Sequence, residues 1–192
     1  GLDQLRDLVE LQLAHRRAEL RALGLGIADA GLLGRGLGDL QRLAVAVALR
    51  CRDEGVRGPD AVAVLCGMLD FDETSSAFLQ MSQRTRDMAR DVVAWLRDMR
   101  HPWLSPVHAD LVGLPPVLLQ TGTRDYCRGD SEILAERARR AEVPVRLEVW
   151  PDGIHVWQRF APKVEEADAA LRAVAAFLNG DAATAAGPVP AG

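Results

Sequence analysis

The run Pro116-Val117-Leu118-Leu119-Gln120-Thr121, then a helical pattern over residues 130–141, then Val145-Arg146-Leu147-Glu148-Val149-Trp150 decides the fold. Two apolar runs of strand length, rich in Val and Leu, flank one segment of helix length. The same alternation is met upstream. Val62-Ala63-Val64-Leu65-Cys66 is a continuous apolar run between Gly58-Pro59 and Gly67, as expected of a strand buried on both faces, and parallel sheets are built from such strands. The spacing predicts a helix over residues 39–54 before it and another over 162–178 at the end of the series. The expectation is therefore an α/β three-layer sandwich around a mainly parallel sheet, with ligand-facing loops at the C-terminal ends of the strands.

Working outward, Leu5, Leu8, Val9, Leu13, Leu20 and Leu23 recur at helical spacing until Gly24 and Gly26 stop them. A short run over 31–35 leads into the glycine-rich turn Gly34-Arg35-Gly36-Leu37-Gly38. Residues 75–103 mix Met, Phe, Trp, Arg and Asp at helical spacing up to Pro102, and read as a helical insertion or crossover. Residues 1–180 are expected to form one domain. The tail 181–192, rich in Ala, Gly and Pro, is expected to be disordered.

Bulk chemistry excludes several function classes. A net charge of −4 and a pI near 5.6 do not suit nucleic acid or an anionic membrane surface, which call for a concentrated basic face. Nothing approaches the roughly 20 uninterrupted apolar residues of a membrane span, and the charged-then-apolar pattern expected of a secretory leader is not met in the opening residues quoted above. The three cysteines, Cys51, Cys66 and Cys127, are odd in number and lack CxxC spacing, so neither a disulfide framework nor a metal site is expected, and a reducing, cytoplasmic setting is.

Five segments, in order, carry a resemblance. Arg42-Leu43-Ala44 through Glu54-Gly55 is followed by Leu65-Cys66-Gly67-Met68-Leu69-Asp70, and then by Leu104-Ser105-Pro106 with Gly113-Leu114-Pro115-Pro116. Gly122-Thr123-Arg124-Asp125 and Trp150-Pro151-Asp152-Gly153-Ile154-His155 close the series. Each motif is weak alone, and together at this spacing they resemble the hormone-sensitive-lipase-like branch of the α/β-hydrolase superfamily, which contains bacterial esterases and acetyl hydrolases. The resemblance implies a carboxylic ester hydrolase that needs no cofactor and acts on a small ester-like ligand. It implies that Asp125 is the catalytic acid and His155 the catalytic histidine, in the chain order Ser, Asp, His.

The pattern departs from the family where the nucleophile belongs. GxSxG is a strained strand-to-helix turn that exposes a serine hydroxyl. Ungapped alignment puts that position at Gly38, within Gly36-Leu37-Gly38-Asp39-Leu40, and matching the glycines instead puts it at Gly36. Both registers give glycine. Nothing upstream of Gly34 resembles the His-Gly-Gly-Gly oxyanion loop, and the family's N-terminal strands are not in this chain. The expectation is a partial, pseudoenzyme-like domain with little or no esterase activity. Two alternatives stay open: a non-catalytic binding or oligomerisation module, self-associating or paired with a missing N-terminal half, and an enzyme in which Asp125 and His155 do acid–base chemistry without a covalent step. Cys66 and Cys127 are read as packing residues near the site, Asp39 and Asp130 as helix N-caps, and His15, His101 and His108 as surface or packing residues.

Overall fold

The computed structural model describes residues 37–83, 86, 87, 90 and 100–180. The predicted opening helix, the run 31–35, Gly36, most of 84–99 and the tail 181–192 lie outside the described residues. The chain divides into two compact units, Gly1–Leu40 and Gln41–Gly192, and the second carries the sheet.

Helix α1, Leu37–Asp53, enters the second unit at Gln41. Gly38 and Asp39 both fall in its first turn, so Asp39 is not the residue ahead of the helix that an N-cap would be. Strand β1, Val62–Leu65, is followed by the short helix α2, Ser76–Gln80, whose N-cap Ser75 accepts a hydrogen bond from the Phe78 N–H at 3.1 Å. After the 3₁₀ turn Pro106–His108 come strand β2, Val117–Arg124, helix α3, Arg128–Arg140, and strand β3, Val145–Ile154. A second 3₁₀ turn, Trp157–Phe160, leads into helix α4, Glu165–Leu178.

The three strands lie in the order β1-β2-β3, all parallel. Val62 is opposite Val117, and Val117 opposite Val145. Alternate residues of β2 face opposite layers, as the period of two requires. Val117 and Leu119 pack in one apolar core with Val45 and Leu49 of α1 and with Leu134, Ala135 and Ala138 of α3. Gln120 points the other way and donates to the Ala170 carbonyl of α4 at 2.9 Å. Helices thus cover both faces, giving three layers. Leu119 is fully buried, and truncating such a residue to alanine typically costs about 2–5 kcal/mol.

The α4 face of the sheet is polar where strands of this type are usually oily. Gln120 also donates to Glu148 at 2.8 Å, Trp150 Nε1 donates to the same carboxylate at 3.3 Å, and Gln158 donates to Gln120 at 3.3 Å. Arg146 forms an ion pair with Glu148. Buried polar groups are tolerated because they satisfy one another.

Strands β2 and β3 both extend beyond the apolar runs that announce them, and the extension positions the site. Two steps along β2, from Gly122 to Arg124, are matched by four along β3, from Trp150 to Ile154. This bulge swings the end of β3 across β2. It is possible only because the crossing points are glycines: a Cβ on Gly122 would run into the Gly153 carbonyl.

Candidate active site

Each of the three parallel strands ends on one polar residue of the site. Cys66 follows β1, Asp125 follows β2, and His155 follows β3. Strand order places them side by side, at the C-terminal edge of the sheet where open α/β folds bind ligands.

Asp125 is held on every side. Its Oδ1 lies 2.9 Å from His155 Nδ1 and accepts the Cys127 backbone N–H at 3.0 Å, while Oδ2 accepts the Thr121 hydroxyl at 2.9 Å. Burial alone would raise its carboxyl, but the hydrogen bonds from His155, from the Cys127 N–H and from Cys66 outweigh it and hold the group below the usual carboxylate range. Asp125 is therefore an anion at neutral pH. An ionised carboxylate at Nδ1 keeps the proton there and leaves Nε2 as the basic nitrogen, the arrangement of a general base.

The His155 ring is partly exposed and is backed by Tyr126, whose ring centroid is 4.3 Å away at an angle of 33°. Val156, immediately after it, adopts a left-handed backbone with φ 52°, unfavourable for a β-branched residue and characteristic of functional turns. That twist turns the chain sharply after His155. Cys66 is left-handed as well, with φ 54°, and completely buried. Its thiol lies 3.7 Å from Gln158 Oε1, and burial followed by the charge of Asp125 pushes its proton affinity up. Such a thiol is not a nucleophile at neutral pH. Cys127 is raised too, first by burial, and packs with Met68, Phe71, Phe78 and Leu104.

Sequence reasoning missed several partners. Thr121 and Tyr126 carry no motif of their own, although both are close neighbours of Asp125 in the chain. Asp130 is not an N-cap: it lies inside α3, which Cys127 precedes, and its Oδ2 accepts the Leu69 and Asp70 N–H groups at 2.9 and 3.0 Å. Burial drives this carboxyl up to about 7, against the lowering effect of those two amides. His108 is an exposed residue, within the surface or packing role expected of it, and its Nε2 lies 3.0 Å from Asp70 Oδ1, which ties the 3₁₀ turn to the loop after β1. His101 stands edge-on to Trp103, with ring centroids 5.1 Å apart. His15 lies outside the described residues. Gly38 belongs to the first compact unit, Gly1–Leu40.

Residues 13–159 match the family described as the alpha/beta hydrolase fold. The chain belongs to the α/β-hydrolase fold family, on its hormone-sensitive-lipase-like branch. The chain is 34% identical over 144 residues to an acetyl-hydrolase of Streptomyces hygroscopicus, an alignment covering 71% of this chain and 48% of that protein. It is 29% identical over 147 residues to an esterase of Acinetobacter venetianus, again covering 71% of this chain and 48% of the relative. Among solved structures, it resembles an esterase from the bacterial hormone-sensitive lipase family with a TM-score of 0.65 and 33% identity, over 71% of this chain and 48% of that one. An esterase/lipase from an uncultured bacterium matches with a TM-score of 0.62 and 31% identity, over 73% and 49%. The chain thus spans about half the length of the relatives it matches. Among its described residues no helix is long and apolar enough to cross a membrane.

Proposed function

We propose that this domain keeps the acid–histidine pair of an ester hydrolase but lacks the hydroxyl that would accept the acyl group, so that its own ester turnover is absent or very slow. The observation that supports this reading is the Asp125–His155 hydrogen bond of 2.9 Å, in a chain with glycine at both candidate nucleophile positions, Gly38 and Gly36. In a complete triad, histidine Nε2 takes the serine proton as the oxygen attacks the ester carbonyl, then returns it to the departing alcohol. Glycine has no atom with which to form that bond. Loss of the nucleophile alone removes on the order of 10⁶ in turnover in a serine hydrolase, and a missing oxyanion donor a further factor of roughly 10² to 10³.

The purified chain is expected to hydrolyse p-nitrophenyl acetate no faster than its His155→Ala variant. Faster turnover by the unmodified chain sinks the proposal. Gly38→Ser, made in a protein lengthened to include an oxyanion loop, asks whether the retained pair can serve a restored nucleophile.

Length favours a second reading. With only 48% of the acetyl-hydrolase covered, the remaining strands and the oxyanion loop would come from sequence outside this chain, and a small ester-like ligand would bind only once both parts are together. The second part would be either contiguous or a separate partner, including another copy. A stable monomer on size-exclusion chromatography counts against the self-pairing form. Acid–base work by His155 without a covalent step would require turnover of some ligand that His155→Ala abolishes. The absence of CxxC spacing keeps the cytoplasm as the proposed setting.

A further inference from the structure

The hydrolase reading uses Asp125 and His155 and leaves Cys66 without a task. Yet a thiol sulfur, a carboxylate oxygen and an imidazole nitrogen, one from the end of each strand, all lie within 4.8 Å of one another. We propose that Cys66, Asp125 and His155 form a binding site for a divalent transition-metal cation of the zinc class, with Sγ, a carboxylate oxygen and Nδ1 as the three protein ligands and a fourth position left for water.

Four observations support it. The first is geometry. Zinc bonds of about 2.0–2.3 Å place tetrahedral ligand atoms roughly 3.3–3.8 Å apart, so the 2.9 Å contact between His155 and Asp125 opens slightly and the sulfur closes by about an ångström. The second is charge. A thiolate and a carboxylate together neutralise a dication, which removes the main obstacle to placing one in a buried site. Cys66 and Asp125 are both buried, while His155 is the partly exposed member beside which the fourth ligand would sit.

The third is the outer shell. The Thr121 hydroxyl and the Cys127 N–H donate to the Asp125 carboxylate and fix it; groups that orient ligands in this way tune metal affinity. The fourth is donor type: thiolate with imidazole selects zinc-class ions over magnesium or calcium. Sequence spacing excludes a cysteine cluster but is blind to this site, because the ligands come from three separate strands.

The proton balance is definite. Binding replaces the S–H bond by an S–metal bond and releases that proton to solvent. The proton on Nδ1 moves to Nε2, and Asp125, already ionised, releases none.

The test is titration of the whole chain with cobalt(II) and with zinc. Expected are a single equivalent of zinc retained on dialysis and, with cobalt(II), a sulfur-to-metal charge-transfer band. Cys66→Ser and His155→Ala should each weaken binding by well over the roughly tenfold expected for the outer-shell change Thr121→Val, while Cys51→Ser, outside the Cys66–Asp125–His155 cluster, leaves the band unchanged. A folded wild-type chain that shows no band overturns the proposal whatever the variants do. So does a band that survives in Cys66→Ser. None of these readings depends on ester turnover, so the metal site and the hydrolase reading fail separately.

Discussion

Asp125 and Asp130 stand five residues apart where β2 gives way to α3, both buried, and are driven in opposite directions. Asp125 is held below the ordinary carboxylate range and Asp130 is pushed up to about 7. Burial raises both. The difference lies in the partners: Asp125 meets an imidazole, a hydroxyl, a backbone amide and a thiol, whereas Asp130 meets two backbone amides and the nearby charges of Asp70 and Asp125, which oppose its ionisation. Two carboxyl groups five residues apart thus titrate in different ranges, one an anion that can orient a base, the other a brace for the loop after β1 that takes up a proton near neutral pH.

Four measurements break or sharpen that contrast. The largest effect is expected for Asp125→Ala, which strands the Thr121 hydroxyl, the Cys127 amide and the His155 ring at once; a loss of about 3–5 kcal/mol by denaturant unfolding is expected, and a loss under about 1 kcal/mol would show that the pair contributes little. Next is pH. Asp130 binds its proton more tightly folded than unfolded, where its value is near 4, so its contribution to stability is greatest below pH 4, falls as pH rises towards about 7, and is flat above. The fall is at most about 4 kcal/mol. Asp125 has the opposite sign: its contribution is present above its unfolded value and lost as pH drops through its lower folded value. In Asp130→Asn the fall between pH 4 and pH 7 should vanish, and a slope that persists removes Asp130 as its source.

A third measurement compares Asp130→Ala with Asp130→Asn. Because one oxygen accepts both amides, asparagine can replace it with a change of about 1 kcal/mol or less, whereas alanine leaves two buried N–H groups unpaired and costs about 2–4 kcal/mol. Equal losses would show that shape rather than hydrogen bonding matters there. The smallest effect is expected for His108→Ala, whose Asp70 pair is partly exposed; about 0.5–1 kcal/mol is expected by thermal unfolding.

The sheet was legible because each strand is an apolar run bounded by turn residues, and Val62, Val117 and Val145, which open those runs, align in register. Asp125 and His155 were legible because strand ends converge in parallel sheets, and the structure brings the two into contact; their task remains the proposal made above. Asp130 was misread because an aspartate near a helix start carries the same local signal whether it caps its own helix or reaches sideways to a neighbouring loop. Gln120, Glu148 and Gln158 escaped notice for a related reason: a polar residue satisfied across strands looks, in one dimension, like any other polar residue. The two extra residues in β3 could not be foreseen either, since Gly122 and Gly153 show their purpose only when one crosses the other.

The amide ladder on the α4 side of the sheet has a mechanical consequence. A greasy layer lets a helix slide along a strand at little cost, but Gln120 has to find Glu148, Gln158 and the Ala170 carbonyl together, and a slip of one residue would turn that amide into the leucine-rich layer opposite. The ladder therefore works as a keyway, locking the axial position of α4 and of both strands, so that the imidazole arrives over its carboxylate by the assembly of the interior rather than by any adjustment at the surface.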